Sequence, residues 1–149
     1  MLLLMFEIRD GRYAMPTNRI VEIVPLVKMK KIPRTPEYVV GMINFRGLPV
    51  PVLDLGLLTE NIPCAQRFST RNILVRYQAK NDRQHIIGLI AERVTETVKI
   101  DMAALPASGV MMDEALYVGA LGSNDDDMVR CFDVQRMVPE SIIEMLFPA

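Results

Sequence analysis

The sequence has few of the side chains from which most metal sites are built. Its 149 residues include two Cys, Cys64 and Cys131, and a single His, His85. The two Cys are far apart and form no C-x-x-C pair, and no second His accompanies His85, so a zinc site is not predicted. Two such thiols are typical of a reducing compartment. We therefore expect neither a metal nor a cofactor.

The usual motifs of catalysis and nucleotide binding are missing as well. No G-x-S-x-G, G-x-G-x-x-G or G-K-[ST] run occurs. His85 lies beside an apolar run and lacks the orienting carboxylate and nucleophile that a general base needs. Asp125, Asp126 and Asp127 do not have the spaced ligands of an EF-hand, so a solvated turn is the better interpretation. No catalytic residue is predicted, and an enzyme is not expected.

Long hydrophobic runs and a large net charge are also absent. No apolar run approaches the roughly 18 residues of a membrane helix. The opening residues 1–6 lack the cationic start and the cleavage site of a signal sequence. The net charge of −1 argues against nucleic acid as a partner. Half of the residues are hydrophobic and the chain has no Gly/Ser-rich linker. We expect a cytoplasmic protein that makes no direct insertion into the membrane.

What the sequence does contain is a period of two in its apolar residues, which is typical of half-buried strands. Strands are predicted at 2–8, 13–16, 20–25, 42–45, 48–55, 72–77, 85–91, 94–100, 116–121 and 128–134. Short helical turns are predicted at 37–40 and 55–58, and Pro139 to Phe147 carries the apolar stripe of a helix. Short strands with turn signals between them are typical of sandwiches and barrels. The predicted fold class is all-β with a short C-terminal helix.

The segment from Gly41 to Leu55 is the most informative part of the chain. It places Asn44 and Arg46 among apolar residues, follows them with Gly47, and continues through two prolines. A guanidinium needs water or a carboxylate partner, because burying a lone charge is very costly. Prolines so close together indicate a strand edge, a strand start or a bulge. The pattern predicts a sheet whose rim displays one fixed Arg, as in a docking surface.

The sequence resembles the CheW-like chemotaxis coupling protein family. The similarity covers nearly the whole chain, and its central G-x-I-N-x-R-G-x-x-V-P-V-x-D-L run is long and specific. The matching runs are Tyr13-Ala14-Met15-Pro16, Ile20-Val21-Glu22-Ile23, Gly41-Met42-Ile43-Asn44-Phe45-Arg46-Gly47, Val50-Pro51-Val52-Leu53-Asp54-Leu55, Ile87-Gly88-Leu89-Ile90 and Tyr117-Val118-Gly119.

The resemblance implies a fold and a function. Residues 1–149 would form a single CheW-like domain of two interlocked, five-stranded β-barrels of the SH3 type. Such domains are non-enzymatic adaptors. They join the cytoplasmic tip of chemoreceptors to the regulatory domain of a CheA-like histidine kinase in a bacterial signalling array.

The resemblance also implies the partner-binding residues: Ile20, Glu22, Gly41, Asn44, Arg46 and Gly47. We expect Glu22 and Arg46 to face each other at a subdomain surface, although a plain surface ion pair is the alternative. The glycines serve the backbone, at positions of positive φ or close approach. Ile20 is either an exposed apolar anchor or ordinary core, and the sequence leaves both open.

Some positions depart from the family pattern. Glu92 stands where Asp is common, and Arg130 and Cys131 interrupt a strand that is usually apolar. These differences leave open which signalling pathway the protein serves. One alternative is a non-flagellar pathway, such as pili motility, surface sensing or a second-messenger output. Another is a receptor-binding scaffold without kinase coupling. A third, a β-barrel that binds small molecules or catalyses a reaction, needs a polar pocket with convergent titratable groups.

Overall fold

A computed structural model of the protein describes residues 2–99, 111–112, 115–120 and 128–148. In this part of the chain there are ten strands: β1 (Leu2–Ile8), β2 (Gly11–Pro16), β3 (Ile20–Pro25), β4 (Val39–Phe45), β5 (Leu48–Asp54), β6 (Arg71–Gln78), β7 (Gln84–Lys99), β8 (Met111–Met112), β9 (Ala115–Ala120) and β10 (Met128–Cys131). The helices there are α1 (Leu55–Glu60), α2 (Val134–Met137) and α3 (Glu140–Leu146), with a 3₁₀ turn at Thr17–Arg19. The all-β class with a C-terminal helix is confirmed.

Strand β7 connects two sheets. Its first half pairs with β6 and β5, which gives the strand order β4-β5-β7-β6-β3. Its second half pairs with β1 and leads to the order β7-β1-β2-β10-β9-β8. Within the pairing of β7 with β1 the register shifts, so that Met5 lies opposite Glu96 but Glu7 lies opposite Glu92. An irregularity of this kind bends a strand and lets it pass from one sheet to the other.

A single bridge links the segment after β3 to β4, at the other end of the first sheet. Beyond the end of β3, Lys30 forms an isolated antiparallel bridge with Met42 of β4, whose N–H donates to the Lys30 carbonyl at 3.2 Å. Strands β3 and β4 are the two ends of the sheet order, so this bridge brings the ends together. The arrangement agrees with the five-stranded barrel predicted from the resemblance, whose SH3-like character stays a prediction.

The largest apolar cluster is shared by both sheets and the C-terminal helices. Phe6 and Tyr13 from the second sheet pack there with Phe132, their ring centroids 5.9–6.4 Å apart. The first sheet contributes its apolar strand residues, and α3 contributes Ile142 and Ile143. Two smaller clusters fill the individual sheets: Leu3, Met5, Ala14 and Val129 in one, and Val52, Cys64 and Ile90 in the other. The central cluster lies between the two sheets and joins them into one packed unit.

Three local predictions are wrong. The strand expected at 128–134 ends at Cys131, because Asp133 caps α2, which begins at Val134. The helical turn expected at 37–40 is absent, since Val39 and Val40 already belong to β4 and only Glu37 and Tyr38 form a turn. Val39 is fully buried, and a β-branched residue packs better on a pleated sheet. The separate strands expected at 85–91 and 94–100 form one continuous β7, because Glu92 and its neighbour mark a bend rather than an end. The connection expected at 101–113 contains β8 at Met111–Met112. Its other residues and the turn expected at 122–127 lie outside the described residues.

Candidate functional site

The β4–β5 hairpin ends in a two-residue turn formed by Arg46 and Gly47. Their φ angles are +52° and +83°, and two consecutive positive φ values are typical of the type I′ turns that fit the twist of a hairpin. The side chain of Asn44 stabilises the turn, since its Oδ1 accepts a hydrogen bond from the Gly47 N–H at 2.8 Å. Gly47 adopts this conformation without strain, whereas Arg46 does so at a cost.

The side chain of Arg46 is oriented although it is exposed. Its Nη2 donates to Glu22 Oε1 at 3.0 Å, and its guanidinium carbon lies 4.9 Å from the centroid of the Phe45 ring. The side chain nevertheless remains 75% exposed, against 41% for Glu22. An exposed ion pair of this kind adds only about 0–1 kcal/mol to stability. The main consequence is a guanidinium held in one direction with most of its surface free for a partner.

Glu22 lies on an edge strand next to a β-bulge. Within the described residues β3 pairs only with β6, and the register shifts between Ile20, opposite Val75, and Glu22, opposite Leu74. Bulges change the direction in which the following side chains point. Strands β3 and β4 are the two end strands of this sheet. The ion pair therefore spans the junction between its two ends.

Exposed apolar side chains occur on β3, which carries Glu22, and on the two strands of the hairpin that carries Arg46. Ile23 on β3 is 40% exposed, Met42 on β4 is 37% exposed, and Leu48 at the start of β5 is 47% exposed. Large apolar side chains near an oriented Arg are the composition that protein interfaces favour. The sequence did not predict a role for these three residues or for the Phe45 ring beside the Arg46 guanidinium. A signal was available for Phe45 only, since it directly precedes the predicted turn.

Gly41 and Ile20 are placed differently from the other candidates. Gly41 is buried, and a Cβ at this position would lie 2.6 Å from Met29 Cβ and 2.8 Å from the Lys30 carbonyl oxygen. The lack of a side chain at Gly41 allows β4 to approach Met29 and Lys30 closely, at the place where the two ends of the first sheet come together. Ile20 is half-buried and packs against the central cluster. The structure therefore favours the core alternative for Ile20, and a partner contact by either residue stays a prediction.

The other titratable candidates form no catalytic arrangement in the described part of the chain. His85 stacks on Phe147, with ring centroids 4.0 Å apart, and burial followed by the nearby Arg83 lowers its pKa. Cys64 is buried and donates to the Ile90 carbonyl at 3.4 Å, and burial raises the pKa of its thiol to about 12. A thiol with such a pKa is a poor nucleophile.

The described residues contain no group of three or more His, Cys, Asp and Glu side chains placed to bind a metal ion. Neither do they include a helix of the length and apolar character needed to cross a membrane.

Comparison with known proteins identifies the family. Residues 2–141 match the family model described as CheW-like domain. The chain is 31% identical over 134 residues to the chemotaxis protein CheW of Helicobacter pylori, covering 89% of this chain and 78% of that protein. It is 22% identical over 137 residues to the chemotaxis protein CheW of Klebsiella aerogenes, covering 91% and 80%. The crystal structure of the scaffolding protein TtCheW from Thermoanaerobacter tengcongensis has a TM-score of 0.72 and 25% identity, covering 93% of this chain and 89% of that one. The chain therefore belongs to the CheW-like domain family.

Proposed function

We propose that this protein is a non-enzymatic adaptor that couples chemoreceptors to the regulatory domain of a CheA-like histidine kinase in a bacterial chemosensory array. The whole chain acts as one CheW-like domain in the cytoplasm and reaches the membrane only through its receptor partners. The observation that carries the proposal is the oriented, 75% exposed guanidinium of Arg46 at the junction of the first sheet. Family membership supports the scaffolding role.

The proposed contact uses the charge pair and the apolar side chains around it. Arg46 meets a carboxylate of the kinase domain, while Glu22 fixes the Arg46 rotamer and contributes charge complementarity. Met42 and Leu48, on the hairpin that carries Arg46, supply the apolar surface that is buried on docking. Asn44 and Gly47 act indirectly, because they hold the turn in which Arg46 is presented.

Calorimetric titration against the regulatory domain of a CheA-like kinase tests this assignment. Arg46→Glu and Glu22→Lys each weaken binding by about tenfold or more, since truncating or reversing a charge at an interface typically costs several kcal/mol. The doubly reversed variant restores the internal ion pair but presents the wrong charge to the partner, so its binding stays weak.

Arg93→Glu is the matched control for this titration. Arg93 is also an exposed arginine at positive φ, +47°, and it also pairs with a glutamate, Glu7, at 2.9 Å. Circular dichroism should show that every variant is folded. If the Arg46 and Glu22 variants bind as tightly as the unmodified chain, or if the Arg93 variant loses as much affinity as they do, this surface is not the kinase contact.

A further inference from the structure

A cleft with a volume of about 420 Å³ lies between the second sheet and the helices α1 and α2. Its walls are formed by Tyr13 of β2, Arg130 of β10 and residues of the two helices. Small-molecule sites commonly have volumes of about 300–1,000 Å³ and combine an apolar wall with a few polar groups that fix the orientation of the ligand. The cleft has both features, and none of its lining residues belongs to the Glu22–Arg46 surface.

Tyr13 brings to the cleft a hydroxyl donor that lacks an acceptor. The residue is only 7% exposed, and its ring packs in the central cluster against Phe6 and Phe132, with centroids 5.9 and 6.4 Å away. Its hydroxyl oxygen accepts a hydrogen bond from Arg130 Nη1 at 3.4 Å, but among the described residues nothing accepts the hydroxyl proton. Buried polar groups nearly always have hydrogen-bond partners. A ligand with an acceptor atom in the cleft supplies the missing one.

Two arginines line the same cleft. Arg130 lies directly opposite Tyr13 in the parallel pairing of β10 with β2, and its guanidinium carbon is 6.0 Å from the centroid of the Tyr13 ring. Arg136 on α2 is exposed, and in the part of the chain that the structure describes its guanidinium has no hydrogen-bond or ion-pair partner. A guanidinium has five N–H donors in a fork that matches the two oxygens of a carboxylate. The polar wall of the cleft therefore favours an anionic acceptor.

The residues that line the cleft carry one more positive than negative charge. Arg130 and Arg136 line it together with a single acidic residue, Glu60 at the end of α1. Glu60 has no ion-pair partner among the described residues, so it does not occupy the donors of either arginine. Leu58 and Met137 add apolar surface on the helical side. An occupant that matches this wall has one negative charge, acceptor oxygens and an apolar body.

We propose that the cleft binds a small organic monocarboxylate. The carboxylate oxygens accept from the Tyr13 hydroxyl and from the guanidinium groups of Arg130 and Arg136, and the apolar body packs on Leu58 and Met137. The ligand thereby connects the second sheet to α1, which directly follows β5 of the first sheet. This binding activity goes beyond the proposed adaptor function. For a ligand of about ten non-hydrogen atoms, the expected dissociation constant is on the order of 1 mM.

An NMR titration of the full, ¹⁵N-labelled chain with benzoate tests the proposal. Benzoate should cause saturable shift changes in the backbone signals of Thr59, Glu60, Arg136 and Met137, which lie on the two helices of the cleft. Benzamide is the matched ligand, because it has nearly the same shape without the negative charge, and it should bind about tenfold more weakly or worse. Inorganic phosphate has the charge without the apolar body, and it should also bind about tenfold more weakly or worse.

Substitutions in the cleft identify the groups that hold the carboxylate. Arg136→Gln should weaken benzoate binding by about fivefold or more, and Tyr13→Phe, which keeps the packed ring, by about threefold or more. Glu60→Gln removes a carboxylate that repels the ligand and should strengthen binding by about twofold. Arg67→Gln is the matched control and should leave the affinity unchanged. Arg67 is also exposed, and its guanidinium also lacks a polar partner among the described residues, but it does not line the cleft.

Several outcomes would overturn the proposal. Equal affinities for benzoate and benzamide would show that the charge is not recognised, and so would a benzoate affinity that Arg136→Gln and Tyr13→Phe leave unchanged. Phosphate that binds as tightly as benzoate would indicate a site for inorganic anions instead. A titration without saturable shifts in the two helices would exclude the site altogether. Kinase titration is a separate readout, so this proposal and the adaptor proposal can fail independently.

Discussion

Arg46 and Glu22 join the two ends of one five-stranded sheet through a 3.0 Å ion pair. The pair therefore has two consequences. First, it spans the junction between the two ends of the sheet. Second, it holds the exposed guanidinium of Arg46 at a place where the edges of the strands leave backbone groups and apolar side chains accessible. Because the pair is solvent-exposed, its contribution to stability is small, and its main physical effect is on the geometry of Arg46.

The first prediction separates the stability of the turn from its function. Asn adopts positive φ more readily than Arg, and Asn-Gly is a preferred type I′ turn. Arg46→Asn therefore relieves a backbone cost of roughly 1 kcal/mol and loses an ion pair of similar or smaller value, so urea denaturation should give a stability within about 1 kcal/mol of the original. Kinase binding should nevertheless fall about tenfold or more.

Arg93→Asn is the control for this experiment, since Arg93 has positive φ and an ion pair but lies outside the proposed contact. It should leave kinase binding unchanged. Full kinase affinity in Arg46→Asn would show that the guanidinium makes no contribution at the interface.

The local part of the fold could be predicted from the sequence because it depends on short-range chemistry. The apolar run of β1, which is buried on both faces, and the turn residues Arg46-Gly47 are local features of the sequence, and the structure has both the strand and the hairpin there. The continuity of β7 depends instead on contacts made by distant segments. Glu92 is buried at the bend, where its carboxylate accepts the Arg9 N–H at 2.9 Å, and the sequence does not show that partner.

The candidate site also has some features that could be predicted from the sequence and others that could not. The resemblance to the family implies Arg46 and Glu22 as a facing pair, and the structure contains their ion pair although 24 residues separate them in the sequence. The exposure of Ile23 and Phe68 could not be predicted, because the sequence does not show whether another segment of the chain covers an apolar residue in a strand or loop. The bulge that directs Glu22 also depends on its pairing with β6.

The second prediction concerns Asp54, a buried helix cap. Its carboxylate accepts the N–H of Leu57 at 3.1 Å, which caps α1, and the N–H of Cys64 at the same distance. Asp54→Ala leaves both donors without an acceptor and should lower the free energy of unfolding by about 2–4 kcal/mol, measured by urea denaturation. Asp133→Ala removes the exposed cap of α2, which accepts from Gln135, and should cost only about 1 kcal/mol. Equal losses in the two variants would contradict this explanation.

The third prediction is a dependence of stability on alkaline pH. Burial, followed by the nearby Asp54 carboxylate, raises the pKa of the Cys64 thiol to about 12 from an ordinary value of 9.0. Between these two pH values the unfolded chain has lost a thiol proton that the folded chain still holds. The free energy of unfolding should therefore decrease as pH rises through this window, by up to about 1.4 kcal/mol per pH unit from this group.

Cys64→Ala isolates this contribution, because the raised pKa values of Tyr38, Tyr77 and Cys131 act in the same direction and remain in the variant. Denaturation curves collected from pH 7 to pH 11 should show a flatter alkaline decline for the variant. Below pH 8 the stability difference between the two proteins should be constant. Parallel curves throughout would rule out a thiol that stays protonated in the folded state.

The last prediction concerns Gly88 and Asn72, which face each other within the first sheet. Gly88 lies in the part of β7 that pairs with β6 on one side and β5 on the other. A Cβ at this position would overlap the amide oxygen of Asn72 and lie 3.0 Å from its Cγ. Asn72 is 1% exposed, and its Oδ1 has no hydrogen-bond partner among the described residues. Gly88→Ala should therefore lower the free energy of unfolding by about 1–3 kcal/mol through overpacking. Asn72→Ala removes the obstructing amide, so the double variant should be more stable than the sum of the single effects predicts, by about 1 kcal/mol. Additive losses in this double-mutant cycle would mean that the strand accommodates the new methyl group by moving its backbone instead.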